Sequence, residues 1–148
     1  SNGGFMPINM LITDEDNYFA AAFPICQAYK IDAINEETLN KLAQKAIWFT
    51  HANSDRTVNP NNTNNLYVRL INAGAENVFY SYFATVTYDG VTYDGHWSWI
   101  YTLRNECKYI QPVEGSGGEL TIDDLDPAST LTHDEYETLW AWIAAQHK

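Results

Sequence analysis

The chain has 148 residues, of which 45% are apolar, 14% aromatic and 18% charged, a composition typical of a globular domain rather than a disordered segment. No run of apolar residues approaches the ~18 that a membrane-spanning helix needs. With 19 acidic and 8 basic residues the net charge is −11. Such a surface repels nucleic acid and anionic lipid, and we predict neither nucleic acid nor membrane as a partner.

In chain order, the first half is predicted to alternate helices with apolar strands. Phe5, Ile8 and Leu11 indicate a first helix, which Pro7 should kink or shorten. The next elements are a buried strand over 19–26, a helix beginning after an Asn35 cap, a continuous apolar strand over 46–50, a helix over 61–73 ended by Gly74, and a β-branched and aromatic strand over 78–83. This alternation predicts a parallel α/β sheet.

The second half is predicted to contain more loop. Residues 85–95 indicate a loop, 97–107 a helix, and 111–131 a polar surface insertion. Thr132 and Glu135 are spaced as a capping box that opens a final amphipathic helix. Since no repeat or boundary divides the chain, we expect residues 1–148 to form a single domain.

Two loops at the carboxyl ends of predicted strands carry candidate catalytic groups. Asp55 follows the second strand and His96 follows the third, and loops in this position hold the working residues of α/β sheets. We therefore expect the Asp55 carboxylate to hold the His96 imidazole, with His51 orienting the acid loop. Ser1 precedes two glycines and a helix, so it can supply a nucleophile in the order Ser…Asp…His, with the Asn2 N–H as half of an oxyanion hole.

The order of several segments resembles polyhydroxybutyrate depolymerase-like and feruloyl-esterase-like α/β-hydrolases. Ser1–Met6 (SNGGFM) is similar to the second half of their G-x-S-x-G-G nucleophile elbow. Residues 19–24 resemble the strand after the elbow helix, and residues 48–58 resemble the strand and loop that bear the acid. Residues 73–78 resemble the last helix–strand unit, and residues 95–99 resemble the histidine loop. The resemblance implies the C-terminal half of an α/β-hydrolase fold, with about three parallel strands flanked by helices.

The same resemblance implies a carboxylic ester hydrolase that needs no cofactor. Ser1, Asp55 and His96 would form its triad and act through an acyl-enzyme on a small-molecule or polysaccharide-linked ester. Trp97 and Trp99, beside the histidine, are candidates for contacting the substrate, with plain packing as the alternative.

The sequence also departs from the family pattern. The glycine two places before the serine, the strand leading into the elbow and a second oxyanion donor are not in the sequence. We therefore expect a fragment with little activity of its own. Where that strand would lie, the sheet edge should be open and should favour homo-oligomers.

Several alternatives stay open at this point. Ser1-Asn2 could be a vector remnant, and without an N-terminal methionine the test for a signal peptide cannot be applied. Few lysines and many Asn, Tyr and Trp residues favour a secreted location, while Cys26 and Cys107 allow one disulfide or none. Three other functions remain: a hydrolase that uses the Ser1 α-amine as its base, a non-catalytic aromatic-rich module for carbohydrate, and an inactive remnant of the fold.

Metal binding is not predicted. His51, Asp55 and His96 match no recognised spacing of metal ligands. The acidic stretch 123–126 lacks the glycine and the final glutamate of a calcium-binding loop, and we interpret it as a solvated acidic loop.

Overall fold

The computed structural model describes residues 1–147, and helices alternate with extended segments up to residue 83. The α-helices are α1 (Asn2–Thr13), α2 (Glu36–Ala43), α3 (Asn61–Asn72), α4 (Trp99–Leu103) and α5 (Leu139–Ala144). The strands are β1 (Ile47–Ala52), β2 (Val78–Phe83), β3 (Val86–Tyr88), β4 (Val91–Tyr93), β5 (Tyr109–Ile110) and β6 (Leu131–Thr132). Among these described residues, no helix has the length and apolar character needed to cross a bilayer.

A small parallel sheet organises the fold. β1 and β2 pair in parallel from Ile47↔Val78 to Ala52↔Phe83. The predicted strand over 19–26 lies on the other side of β1 as an extended segment, joined to it by two isolated parallel bridges at Ala22 and Ile25. Pro24 accepts a hydrogen bond from the Thr50 N–H at 3.0 Å but has no N–H to donate, so the ladder is interrupted there. This arrangement agrees with the predicted α/β class.

Apolar side chains cover both faces of the sheet. All six residues of β1 are buried, and alternate residues of β1 and β2 belong to different clusters, as expected for a strand covered on both sides. One cluster packs α1, α2 and α3 on the first face and includes Ile8, Leu11, Leu42, Phe49, Leu66, Leu70 and Tyr80. The other packs α5 on the second face around Trp48, Cys107, Ile110, Leu139 and Trp142.

Local sequence signals explain the ends of several helices. The Asn35 side chain accepts the Thr38 N–H at 2.8 Å and caps α2, as predicted. Gly74, with a φ of +92°, ends α3. Pro7 does not shorten α1, because the helix continues past it to Thr13.

The two helices predicted after His96 are shorter than expected. A 3₁₀ turn (Gly95–Trp97) precedes α4, which ends at Leu103 because Asn105 adopts a φ of +60°. The capping box predicted at Thr132 is wrong as well: Thr132 pairs with Tyr109 in a short antiparallel ladder, and α5 begins only at Leu139, capped by the Thr138 side chain.

A β-hairpin occupies the segment predicted as a loop over 85–95. β3 and β4 pair in antiparallel fashion across Asp89 and Gly90, which have φ angles of +50° and +75°. Positive φ at both turn positions is the pattern of a type I′ turn, for which Asp-Gly is a favoured sequence. The hairpin leads directly into the histidine turn.

The segment 111–131 combines exposed and anchored residues. The start of the segment is tied to Asp126, because the Gln111 side chain donates to the Asp126 carbonyl at 2.8 Å and accepts the Asp126 N–H at 2.7 Å. In between, Leu120 is buried in the core, and both its backbone groups bond to the Asn72 side chain of α3.

Candidate active site

The loop after β1 holds a buried carboxylate. Asp55 is 7% exposed, and its Oδ1 accepts the backbone N–H groups of Thr57 at 2.8 Å and Val58 at 2.9 Å. Short Asp side chains favour such local bonds to the backbone that follows them. The loop therefore fixes the carboxylate at the carboxyl end of β1.

The turn after β4 brings His96 to this carboxylate. His96 Nδ1 lies 3.1 Å from Asp55 Oδ2, and the imidazole remains one quarter exposed while the Asp55 side chain has no solvent access. Asp55 follows β1 of the parallel sheet, whereas His96 follows the separate β3–β4 hairpin, which carries the histidine turn to the carboxyl end of β1.

His51 is a second imidazole on the same carboxylate oxygen. Its Nε2 lies 2.9 Å from Asp55 Oδ2 and 3.2 Å from the Val58 carbonyl oxygen, two groups that can only accept. Its Nδ1 lies 2.7 Å from the Thr63 hydroxyl. Burial lowers the pKa of His51 although the Asp55 charge opposes this. We therefore assign His51 as a neutral imidazole that donates from Nε2 and accepts at Nδ1.

The Asp55 carboxylate thus faces four N–H donors. Burial alone would raise its pKa, but the Val58 amide, the His96 imidazole and the Thr57 amide outweigh burial, and the pKa of Asp55 is lowered. An ionised carboxylate beside Nδ1 favours the His96 form that carries its proton on Nδ1. In that form Nε2 presents a free lone pair, which a general base needs.

Ser1 lies at the amino end of α1, close to the Cys26 turn. Its amino nitrogen donates to the Cys26 carbonyl at 3.0 Å. Gly4 makes this approach possible: a Cβ on Gly4 would fall 2.3 Å from the Ile25 carbonyl oxygen and 2.5 Å from the Gln27 backbone. The elbow-like glycine therefore has a steric role, since it lets the helix start rest directly on the 25–27 backbone.

Cys26 links Ser1 to the histidine turn. Its thiol is 3.4 Å from the His96 carbonyl oxygen and 3.1 Å from the Ser98 hydroxyl. Ser1 and His96 therefore both contact Cys26, although within residues 1–147 no hydrogen bond joins the Ser1 hydroxyl to His96. Catalytic hydrogen bonds of free enzymes are often long and tighten only with substrate.

Both cysteines are free and buried. Burial raises the pKa of Cys26 to about 12 and also raises the pKa of Cys107, so neither favours the reactive thiolate. Donor atoms of Cys26, His51 and Asp55 lie within 4.8 Å of one another. These atoms are already engaged in the hydrogen bonds described above.

Asn2 is the first residue of α1 and is exposed. The Ser1 carbonyl accepts the N–H groups of Gly4 and Phe5. Across the described chain, the N–H of Asn2 has no hydrogen-bond partner. Free N–H groups at a helix start are suited to a developing negative charge.

An aromatic stack lies next to the histidine. The ring centroids of Tyr93 and Trp97 are 5.1 Å apart, and those of Trp97 and Trp99 are 5.9 Å apart, with interplanar angles of 16° and 28°. Trp97 and Trp99 are both more than 40% exposed. The sequence prediction named these two tryptophans but missed Tyr93, whose place beside them depends on the unpredicted hairpin.

Comparisons with known proteins support an esterase-like fold. No family model matches the chain, and no curated protein matches it either. The crystal structure of a thermostable esterase matches with a TM-score of 0.60 and 27% sequence identity, covering 72% of this chain and 26% of the esterase chain. The chain thus spans about a quarter of that esterase, and the likeness gives coarse, weak support to a hydrolase-like function.

We expect the free energy of unfolding to depend on pH because His51 is buried and neutral in the folded chain. Because the folded protein lowers its pKa below the usual 6.5, the unfolded state binds the extra proton first as the pH falls. The free energy of unfolding should therefore drop by about 1 kcal/mol between pH ~7.5 and ~5.5. Urea unfolding at both pH values measures this loss. His51→Gln should show a smaller loss, while His147→Gln, at an exposed position, should keep it; equal losses in all three proteins would contradict the assignment.

Proposed function

We propose that the chain carries the nucleophile, acid and base of a carboxylic ester hydrolase. Ser1 is the nucleophile, His96 the general base and Asp55 the acid that orients it. The observation that carries this proposal is the contact of His96 Nδ1 with Asp55 Oδ2 at 3.1 Å, on a carboxylate whose other donors hold it ionised. A buried ionised carboxylate against a partly exposed imidazole is the arrangement that activates a serine.

The chemistry has two steps. The Ser1 hydroxyl attacks the ester carbonyl as its proton passes to His96 Nε2, and the oxyanion that forms accepts the Asn2 N–H. The alcohol then leaves with the proton from His96, and an acyl-Ser1 ester remains. Water then attacks this ester as His96 Nε2 takes its proton. The bond between the acyl carbon and the Ser1 oxygen breaks as His96 returns that proton to Ser1, and the acid leaves. Neither step requires a cofactor.

Low turnover is part of the proposal. Among residues 1–147 we identify only the Asn2 N–H as an oxyanion donor, and one missing donor lowers the rate by about 10²–10³-fold. The Ser1 hydroxyl also has to move to reach His96. We therefore propose a chain with little activity of its own.

Labelling with a fluorophosphonate tests the nucleophile. The reagent should phosphonylate Ser1, because the attack needs the same serine and base as ester cleavage but does not require turnover. Mass spectrometry of the labelled peptide should place the adduct on Ser1, and Ser1→Ala should abolish it. Ser116→Ala, at an exposed serine in the 111–131 segment, is the control that should label like the wild type. Labelling that persists in Ser1→Ala would contradict the proposal.

The aromatic stack is proposed as the substrate-contacting surface for a small-molecule or polysaccharide-linked ester. Trp97 and Trp99 are more than 40% exposed and flank the turn that holds His96. Exposed indoles give a large, rigid contact area at low cost in side-chain entropy.

A second candidate function, carbohydrate binding without catalysis, is favoured by the same stack. The Tyr93 hydroxyl and the indole N–H groups of Trp97 and Trp99 have no hydrogen-bond partner within the part of the chain that is described. Calorimetric titration with soluble plant polysaccharides distinguishes the two functions. Polysaccharide binding that is lost on substitution of Trp97, in a protein that fluorophosphonate does not label, would favour the binding module.

We also propose self-association through the sheet edge at 19–26. The backbone groups of Ala21 and Phe23 bond to no other group in the described structure, and the groove beside them is lined by Met10, Leu11 and Phe19. An open, apolar edge is a template for pairing with a second chain. Light scattering should show a dimer or larger species, and a monomer at all concentrations would exclude this partner.

A further inference from the structure

The loops that carry Asp55 and His96 meet backbone to backbone at Gly95. The Gly95 N–H donates to the Ser54 carbonyl at 3.4 Å. A Cβ on Gly95 would lie 2.3 Å from the Asp55 nitrogen and 2.6 Å from the Ser54 carbonyl carbon. These are backbone atoms that cannot rotate away, so only glycine permits this approach.

Asp94 ties the same two loops with one carboxylate oxygen. Its Oδ1 accepts the N–H of His96 at 2.9 Å within its own turn and the N–H of Arg56 at 3.3 Å on the acid loop. The nearby charge pair contributes little, because Arg56 Nε is 4.0 Å from Asp94 Oδ2 and the Arg56 side chain is 92% exposed. The two hydrogen bonds that Asp94 Oδ1 accepts from backbone N–H groups are therefore the stronger tie.

We propose that Asp94 and Gly95 are positioning residues that hold the His96 turn on the acid loop and so set the His96–Asp55 contact. The inference rests on the proposed function for its catalytic meaning, but the contact itself can be observed without any ester. The Asp94 side chain acts on His96 by accepting its backbone N–H. Gly95 acts because its missing Cβ lets the two loops pack together. Neither residue touches the reacting atoms.

His51 supplies an internal control for this role. Its bond to Asp55 lies inside the acid loop and involves neither Asp94 nor Gly95. Loss of the tie between loops should therefore release His96 and leave His51 in place. General unfolding or collapse of the acid loop would change both imidazoles together.

Nitrogen NMR of the ¹⁵N-histidine-labelled chain tests the inference. Measured about two pH units above the usual imidazole pKa, the ring shifts report which nitrogen carries the proton. In the wild type we expect His96 protonated on Nδ1 and His51 on Nε2. In Asp94→Ala the ratio of Nδ1–H to Nε2–H forms of His96 should fall about tenfold, with His51 unchanged.

Three further variants refine the test. Gly95→Ala should act like Asp94→Ala, and Asp94→Asn should restore part of the Nδ1–H form because its amide oxygen still accepts. Ser54→Ala, which removes a buried hydroxyl without a partner at the same contact, should leave His96 as in the wild type.

Two results would overturn the inference. One is an unchanged His96 in a folded Asp94→Ala protein, and the other is a parallel change of His51 and His96. A chain in which Asp94→Ala releases His96 but no fluorophosphonate reacts at Ser1 would instead keep this inference and remove the hydrolase. If Gly95→Ala fails to fold, Asp94→Ala alone decides.

Discussion

Asp55→Asn should slow phosphonylation of Ser1 by about 10³–10⁴-fold. The four N–H groups around the carboxylate need acceptors at both oxygens, and an asparagine would place an NH₂ group against two of them. His96 would then lose the partner that keeps its proton on Nδ1, and Nε2 would no longer be a free base. The rate of fluorophosphonate labelling, followed by mass spectrometry, gives the effect directly.

Two controls are needed to interpret this result. Asp123→Asn makes the same chemical change at an exposed acid in the 111–131 segment and should label at the wild-type rate. Circular dichroism should show that Asp55→Asn remains folded under the labelling conditions. A folded Asp55→Asn protein that labels as fast as the wild type would exclude Asp55 from the triad.

Gly4→Ala should destabilise the chain by about 3 kcal/mol. The added methyl group would meet the Ile25 carbonyl oxygen and the Gln27 backbone at 2.5 Å or less. Because these are main-chain atoms, the start of α1 has to move away, and Ser1 moves with it. Urea unfolding measures the loss, and labelling of Ser1 should decline in the same variant.

Gly3→Ala is the matched control one residue earlier. The nearest atom to its added Cβ is Ser1 Oγ at 3.8 Å, an ordinary contact distance, and Gly3 is exposed. Its free energy of unfolding should stay within about 0.5 kcal/mol of the wild type. Equal losses in the two variants would mean that packing of α1 on the 25–27 backbone is not what Gly4 provides.

Much of the first half of the fold could be predicted from local patterns. The Asn35 cap, the apolar run that becomes β1 and the glycine after α3 each combine one residue type with one local conformation, so they can be recognised in sequence. The 19–26 strand was predicted in place but without its interruption, because the effect of Pro24 depends on which side of the strand faces β1.

The second half of the fold was harder to predict because its local sequence patterns fit more than one structure. Thr132 and Glu135 fit a capping box, yet Thr132 pairs with Tyr109, a partner more than twenty residues away that local spacing cannot reveal. The hairpin at Asp89-Gly90 did carry a recognisable turn sequence, and it was overlooked in a loop rich in small and polar residues.

In the candidate site, too, some residues could be predicted from the sequence and others could not. Asp55 and His96 could be proposed because loops that follow parallel strands meet at one edge of the sheet. The structure brings these two residues together, although His96 arrives by way of the β3–β4 hairpin and not directly from β2. Asp94 and Gly95 were missed although an Asp two residues before His96 is a signal for a capped turn. Their link to the acid loop depends on how closely two backbones approach, which sequence spacing does not encode.

The acid and the base come from one continuous stretch, β1 through α3, β2 and the hairpin to the turn at Gly95–Trp97, whereas the serine comes from α1. In the proposed site, the histidine, the carboxylate and the supporting imidazole therefore belong to one sequence segment and would be inherited together. Under the proposed function, a nucleophile brought to the exposed side of the His96 imidazole, on this chain or on another, would meet a base that the Asp55 carboxylate already orients.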